Sequence, residues 1–590
     1  VSSKLHQILL GCGYIFTPAR QMPKGTLIYT EDRRKGYYVK QYATEAGLFS
    51  IALILRDDPH IKLPVAYALH IPEQYRGRLI PHLFSNERIL CYVAQMEADW
   101  DPNDLDSTYR DIDAQIQRTL NEASLSVENG DSNNSGLEGE FFAYWRSESM
   151  LFLLAKPDKR TSLVTWLSES SWPDGSLRRE YVTIDLDYNK SQNELSNWLI
   201  HRGLKAESLK ENPIVTHYIF VKPTRLAGVN WPPANFRDLL VWLSDVDHVA
   251  RNSVIDSILS NEKKRHILLF DIKHQDTLAA YIEIDLKVAG LKRHRNRSSR
   301  TKKSSIQHLM SVLGGKQVNL GFKRLSVIKA DRDTLLSRNL PRPDIGNLSG
   351  KRIALIGCGT IGGYLAGLLL RSGAGCGEQY FHLYDDDVFS PHNFGRHVLT
   401  AHDFGLYKVS ALVDSLVRSV HIATKIEGFI AQFPITATKL ASYDIVIDAT
   451  GRPPVSKRLA TIVRTVPNEQ RPILIHAFND GNGRASKVLV DDGGCCYGCM
   501  LADPSIYRNG VDLRFEDIDQ LSERYVSCGS TYTPYDATVS HITAALAQEA
   551  VLNTLELIMP WTYNEHILKG SRSRKPQYIK CQPNCTICHV

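Results

Sequence analysis

The chain has 590 residues, 43% of them hydrophobic and 23% charged, an ordinary balance for a folded protein and enough length for three or four domains with separate cores. A formal net charge of +6 is small for this length and gives no reason to expect a nucleic acid partner. No apolar run approaches a membrane span, the N-terminus lacks a signal-peptide pattern, and several of the 11 cysteines form C-x-x-C pairs, which predicts a reducing cytoplasm with metal-binding and reactive thiols rather than disulfides.

Leu5, Ile8 and Leu9 open the chain as a short amphipathic stretch. Residues 25–42 and 48–55 alternate like antiparallel strands. A turn bracketed by Pro59 and Pro64 follows, then His82, Asn86 and Cys91, the turn Trp100-Asp101-Pro102, and a helix with Tyr109, Ile112, Ile116 and Leu120 on one face. A lone cysteine in an apolar run is most often a buried structural thiol. This order of elements, however, resembles a ubiquitin-conjugating enzyme. The resemblance implies an α+β domain over residues 1–125, with Cys91 as the acyl-carrying nucleophile and His82 as the histidine that precedes it. That family follows its histidine with Pro-Asn, whose asparagine supports isopeptide formation; here Leu83 follows, and Asn86 lies nearer the cysteine.

Residues 126–140 fall in a stretch rich in Ser, Asn, Gly and Glu and read as a flexible linker. Residues 141–335 read as an α/β middle domain of unassigned role. Strands are expected over 150–155, 181–186, 215–222, 266–272 and 280–286, and helices over 193–202 and 236–243. Seven Lys or Arg residues between Lys292 and Lys303, with no aromatics among them, predict a solvated loop.

Residues 336–590 carry the strongest signal. Ile353 to Ile356 is an apolar strand running into Gly357, Gly359 and Gly362, the G-x-G-x-x-G spacing that brings backbone close to phosphate. A second strand ends at Asp385, suited to a ribose hydroxyl. Asn393, Arg396 and Lys408 supply polar and cationic groups for phosphates, and Asp448 ends a further strand as a candidate Mg2+ ligand. This ordered set resembles the Rossmann-like adenylation domain of ubiquitin-activating and ThiF/MoeB-like enzymes. The resemblance implies that Asp385 binds the ribose of ATP, that Asn393, Arg396 and Lys408 hold its phosphates, and that Asp448 carries Mg2+. His397 stands where many members have Gln. It also implies a homodimer through this domain, with Arg338 or Arg342 reaching the partner subunit's ATP.

Cys496, Cys499, Cys585 and Cys588 form two C-x-x-C knuckles, a closed four-thiolate set suited to structural Zn2+. The knuckle pair is similar to the one that fastens the C-terminal tail in the ThiF/MoeB-like family. Cys495 and Cys581 read as spectators. Cys528 lies in a polar loop before a long helix, a setting that favours thiolate, and the loop resembles the catalytic-cysteine segment of autophagy-type activating enzymes. As a whole, conjugating domain first and activating domain last, the chain resembles the fusion enzymes of bacterial antiphage (CBASS) operons. That implies a relay from acyl-adenylate to Cys528 to Cys91 to a target lysine, with a cyclic-oligonucleotide synthase as modifier. Two other readings fit the residues: a sulfur-carrier adenylyltransferase, which would never load Cys91, and a regulatory nucleotide-binding module, which would show no ATP–pyrophosphate exchange.

Overall fold

The computed structural model describes the chain apart from residues 1–2, 22–35, 57, 85–87, 95, 129–140, 159–160, 172–173, 188–190, 205–208, 289–305, 341, 517–523, 528–529, 533, 569–571 and 589–590. It separates into two packed units, residues 1–191 with 207–329, and residues 192–206 with 330–590.

In the first unit an antiparallel sheet takes the order Ile15–Thr17, Tyr37–Thr44, Gly47–Ile54, Val65–His70, Ile89–Leu90, Leu83–Phe84. The expected helix runs Leu105–Glu128, and Tyr109, Ile112, Ile116 and Leu120 are all buried on its inner face beside Leu5, Leu9, Phe49 and Leu53. The same unit holds a closed seven-stranded barrel ordered Leu209–Val221, Arg265–Ile272, Leu278–Ile284, Asn319–Lys329, Met150–Leu153, Leu177–Asp185, Leu163–Ser171. Two helices, Phe236–Val246 and His248–Leu259, cover it, with Asp247 ending the first and capping the second. Trp145 donates its indole N–H to the carbonyls of Ala279 and Leu325, which ties the helix Phe141–Trp145 to two barrel strands.

The second unit is built on a seven-stranded sheet ordered Ile426–Phe429, Phe381–Tyr384, Ile353–Ile356, Ile445–Asp448, Ile473–Asp480, Ala485–Asp491, Tyr563–Ile567. The first five strands are parallel and the last two antiparallel. Parallel strands are covered on both faces, which is why Ile353–Ile356 and Ile445–Asp448 are buried at every position. The helix Ala537–Asn553 lies against Thr360–Arg371, and its fully buried Ala544, Ala547 and Ala550 allow the close approach. From Ile353–Ile356 the chain steps to one neighbour and later returns to the other. Such a switch point opens a crevice at the carboxyl ends of the strands.

Candidate active site

The glycine loop closes the carboxyl end of the first parallel strand. Gly357 has φ +90°, and a Cβ there would stand 3.2 Å from the backbone of Ala449 and Thr450. At Gly362 a Cβ would stand 1.9 Å from the Gly357 carbonyl oxygen, so both positions demand glycine. Gly359 faces open space at the start of the helix Thr360–Arg371, where no side chain caps the first N–H groups and an anion can take them. The loop's Cys358 is fully buried, and burial pushes its thiol well above the ordinary range, so it is inert.

Asp385 accepts the N–H of Cys358 at 2.6 Å and of Asp387 at 2.8 Å. Burial pushes its carboxyl up, against the pull of those bonds. With Gly357, Gly359, Phe433, Thr450 and Arg452 it lines a cavity of about 220 Å3. Lys408 is 8% exposed, and its ammonium meets Asp387 at 2.9 Å. Asn393 accepts the Ser390 N–H at 3.0 Å and holds the turn Pro391–Arg396. His397, buried behind it, donates Nε2–H to the Cys358 carbonyl (2.8 Å) and accepts the Leu399 N–H at Nδ1 (3.1 Å), bolting the turn to the glycine loop. Arg396 places its guanidinium 4.6 Å from the Tyr535 ring centre. Arg342 pairs with Glu556, and Arg338 ends the helix Arg332–Ser337.

Asp448 does not fit the metal-ligand role expected for it. Its side chain is 1% exposed, and both oxygens are taken. Oδ1 accepts the N–H and hydroxyl of Thr450, at 3.1 and 2.7 Å. Oδ2 accepts Ser456 at 2.5 Å and His476 Nδ1 at 3.0 Å. Burial acts to raise its pKa, but these donors outweigh it and hold the carboxylate below its usual range. Asp448 therefore shapes the Thr450–Arg452 loop. Arg452, which sequence reading passed over, is the cation this loop presents to the cavity; its place just after a strand-end acid was the available signal.

A second cavity, of about 490 Å3, meets the first at Gly359, Ala449 and Thr450. Its lining includes Gly451, Gly481, Gly483, Gly510, Phe515 and Tyr535. Asp480, on the same wall, is tied into a buried ion network. Lys487, with no exposed surface, reaches Asp480 and Asp512 at 2.6 Å each. Arg514 joins Asp512 to Glu565, also at 2.6 Å each. Every charge in it is paired, which is the condition for keeping ions inside a core.

The four knuckle sulfurs converge. Cys496 lies 3.7 Å from Cys499, 3.5 Å from Cys585 and 3.2 Å from Cys588, and Cys499 lies 3.4 Å from Cys588. A tetrahedron with Zn–S bonds of about 2.3 Å has S–S edges of about 3.8 Å. The set is close to that size, far longer than a disulfide, and all four thiols are free, so it fits a zinc ion.

In the first unit, Cys91 is half-buried and donates its N–H to the His82 carbonyl at 2.7 Å. His82 takes φ +63°, a left-handed conformation that aims this carbonyl at the cysteine. The neighbouring Tyr92 donates its hydroxyl to the Pro64 carbonyl at 2.7 Å, and Trp100 donates to the His60 carbonyl at 2.8 Å. These bonds tie the proline turn to Tyr92, beside Cys91, and to the Trp100–Pro102 turn. Asn86 and Cys528 lie outside the described residues.

Residues 12–154 match the prokaryotic E2 family B model, and residues 331–584 match the ThiF family model. An ATP-dependent ubiquitin transferase-like protein, Cap2, of Vibrio cholerae serotype O1 is 61% identical over 588 residues, covering 100% of both chains. The chain belongs to the family of ATP-dependent ubiquitin transferase-like proteins. A second member, from Escherichia coli, is 55% identical and covers 99% of each chain. Among solved structures, E. coli MccB with MccA-N7isoASN aligns at 18% identity and TM-score 0.32, covering 41% of this chain and 67% of that one. The family's arrangement joins a conjugating-type and an activating-type module in one polypeptide. Among the described residues no helix is long and apolar enough to cross a membrane.

Proposed function

We propose that this chain activates the C-terminal carboxylate of a protein modifier with ATP and transfers it through two thioesters to a lysine of a target protein. The observation that carries the reading is the junction of the two cavities at Gly359 and Thr450. One is lined for a nucleotide by the glycine loop and Asp385; the other, walled by glycines, admits an extended chain end. A carboxylate delivered along the second meets the α-phosphate at the first. Its oxygen attacks the α-phosphorus, and pyrophosphate leaves. The Cys528 thiolate then attacks the acyl carbon and AMP leaves. Cys91 takes the acyl group from Cys528, and the lysine amine takes it from Cys91, giving an amide and a free thiol. Each thioester keeps the carboxyl activated and divides one hard condensation into easier steps.

Gly357, Gly359 and Gly362 cradle the phosphates, Asp385 holds the ribose, and Asn393, Arg396 and Lys408 frame the phosphate end. A Mg2+ ion bound with ATP would supply charge neutralisation on the phosphates, and Asp386 and Asp387, exposed carboxylates whose oxygens lie within 4.8 Å of those of Asp385, would hold it. Zinc held by Cys496, Cys499, Cys585 and Cys588 is structural. By resemblance to the antiphage fusion enzymes, the modifier is a cyclic-oligonucleotide synthase and the chain acts as a homodimer through its adenylation domain in the cytoplasm.

The test is a pair of variants supplied with that synthase. Cys91→Ala is expected to form the adenylate and a reductant-sensitive thioester on Cys528, with no amide product. Cys528→Ala is expected to stop at the adenylate. Loading of Cys91 at the wild-type rate in Cys528→Ala would remove Cys528 from the route.

A further inference from the structure

Tyr535 stands where three features meet. It lines the larger cavity, which shares Gly359 and Thr450 with the nucleotide cleft. Its ring lies under the Arg396 guanidinium, 4.6 Å from centre to centre. Its Cβ packs so tightly on Gly483 that a Cβ added there would stand 2.6 Å away, at a residue with φ +78°. Glycine at 483 therefore leaves room for the Tyr535 side chain, which a Cβ there would crowd. Tyr535 is also anchored from behind, because the next residue, Asp536, caps the helix Ala537–Asn553 through the Thr538 N–H at 2.8 Å.

An arginine side chain has several rotatable bonds and loses rotamer freedom when fixed. An aromatic face opposes that loss by attracting the guanidinium to its negative quadrupole. We propose that Tyr535 is a positioning residue for nucleotide binding: its ring pre-sets Arg396 for the phosphates of ATP. The inference rests on the reading of Arg396 as a phosphate-binding group. The attraction comes from the ring and not from the hydroxyl, so phenylalanine is expected to serve and a ringless side chain is not.

Equilibrium binding of ATP and of adenosine to the full chain, measured by calorimetry, tests it without any modifier. Arg396→Ala is expected to weaken ATP and leave adenosine unchanged. Tyr535→Leu and Tyr535→Gln are expected to weaken ATP by roughly three- to ten-fold, the size of a partly buried cation–π contact, again with adenosine unchanged. Tyr535→Phe is expected to match wild type. Adding Tyr535→Leu to Arg396→Ala is expected to cost nothing further, because the ring acts through the arginine. If Arg396→Ala binds ATP like wild type, the assignment of Arg396 fails. If Arg396→Ala weakens ATP but both ringless variants bind it normally, or lose ATP and adenosine equally as a misfolded cleft would, the positioning role of Tyr535 is overturned.

Discussion

His397 illustrates how one buried side chain can hold two parts of a nucleotide site in register. Its ring bridges the Cys358 carbonyl and the Leu399 N–H, and burial pushes its pKa down, so it works as the neutral tautomer. Glutamine offers the same two functions, an N–H for the carbonyl and an oxygen for the N–H. His397→Gln is therefore expected to bind ATP within about twofold of wild type. His397→Leu strands a buried donor and a buried acceptor, at a cost of about 1–3 kcal/mol each, and is expected to lower both the melting temperature and ATP affinity. Equal stability of the two variants would show that the bridge is unimportant. At this scale the glycine loop was legible because its constraint is local: a Cβ at Gly362 collides five residues back, with Gly357. The true setting of Asp448 was not, because two of its partners, Ser456 and His476, come from a helix and from a neighbouring strand 28 residues on.

Elements with an uninterrupted apolar run were readable. The barrel strands Arg265–Ile272 and Leu278–Ile284 announce themselves through Ile267 to Phe270 and Leu278 to Ile282. Leu163–Ser171 escaped because its buried positions include Thr165 and Ser168; Thr165 meets the hydroxyls of Thr183 and Thr216 at 2.8 and 2.7 Å, a polar ladder inside the barrel. The same barrel carries a pH-sensitive pair. His217 Nε2 and His266 Nδ1 lie 2.9 Å apart on adjacent parallel strands. Burial pushes both pKa values down to about 4, and for His217 the proximity of His266 adds to it. The folded state thus binds fewer protons than the unfolded chain, whose histidines titrate near about 6.5. Stability from this pair is full above that pH and is lost as pH falls toward 4. Hydrogen exchange of Leu209–Val221 and Arg265–Ile272 is expected to accelerate over that window, and less so in His217→Leu. Exchange that is flat from pH 7 to 4 would contradict the assignment.

Across the whole molecule, the longest-range feature read correctly from the chain is the convergence of the two knuckles, 85 residues apart; thiolates in C-x-x-C turns have few other uses in a chain of this kind. Barrel closure had no comparable marker, since no single residue announces that Asn319–Lys329 pairs back to Met150–Leu153. The knuckles also define what zinc would do. Cys496 and Cys499 sit at the start of the helix Tyr497–Ala502, after the strand Ala485–Asp491, whereas Cys585 and Cys588 lie in the C-terminal tail. Among its other contacts, that tail is attached by the Tyr563–Gln577 bridge, the Ile579 N–H to the Thr562 hydroxyl (2.8 Å) and the Arg574–Glu565 pair. These contacts hold its beginning, whereas its end is held by the cysteines themselves and by Ile587, which packs on Gly498 and the cluster around Cys496. Metal loss is therefore expected to release the region around Cys585 first and to leave the seven-stranded sheet standing. Elemental analysis of freshly purified protein is expected to find one zinc per chain, and Cys496→Ser and Cys585→Ser to find none. Both variants should melt at lower temperature, because metal binding here is coupled to folding of the tail, and limited proteolysis should cut them after Ile579 while the wild type resists. Full zinc occupancy in Cys496→Ser, or purified wild-type protein without zinc, would defeat the reading; so would a tail that stays protected after chelation, which would mean that the other contacts suffice.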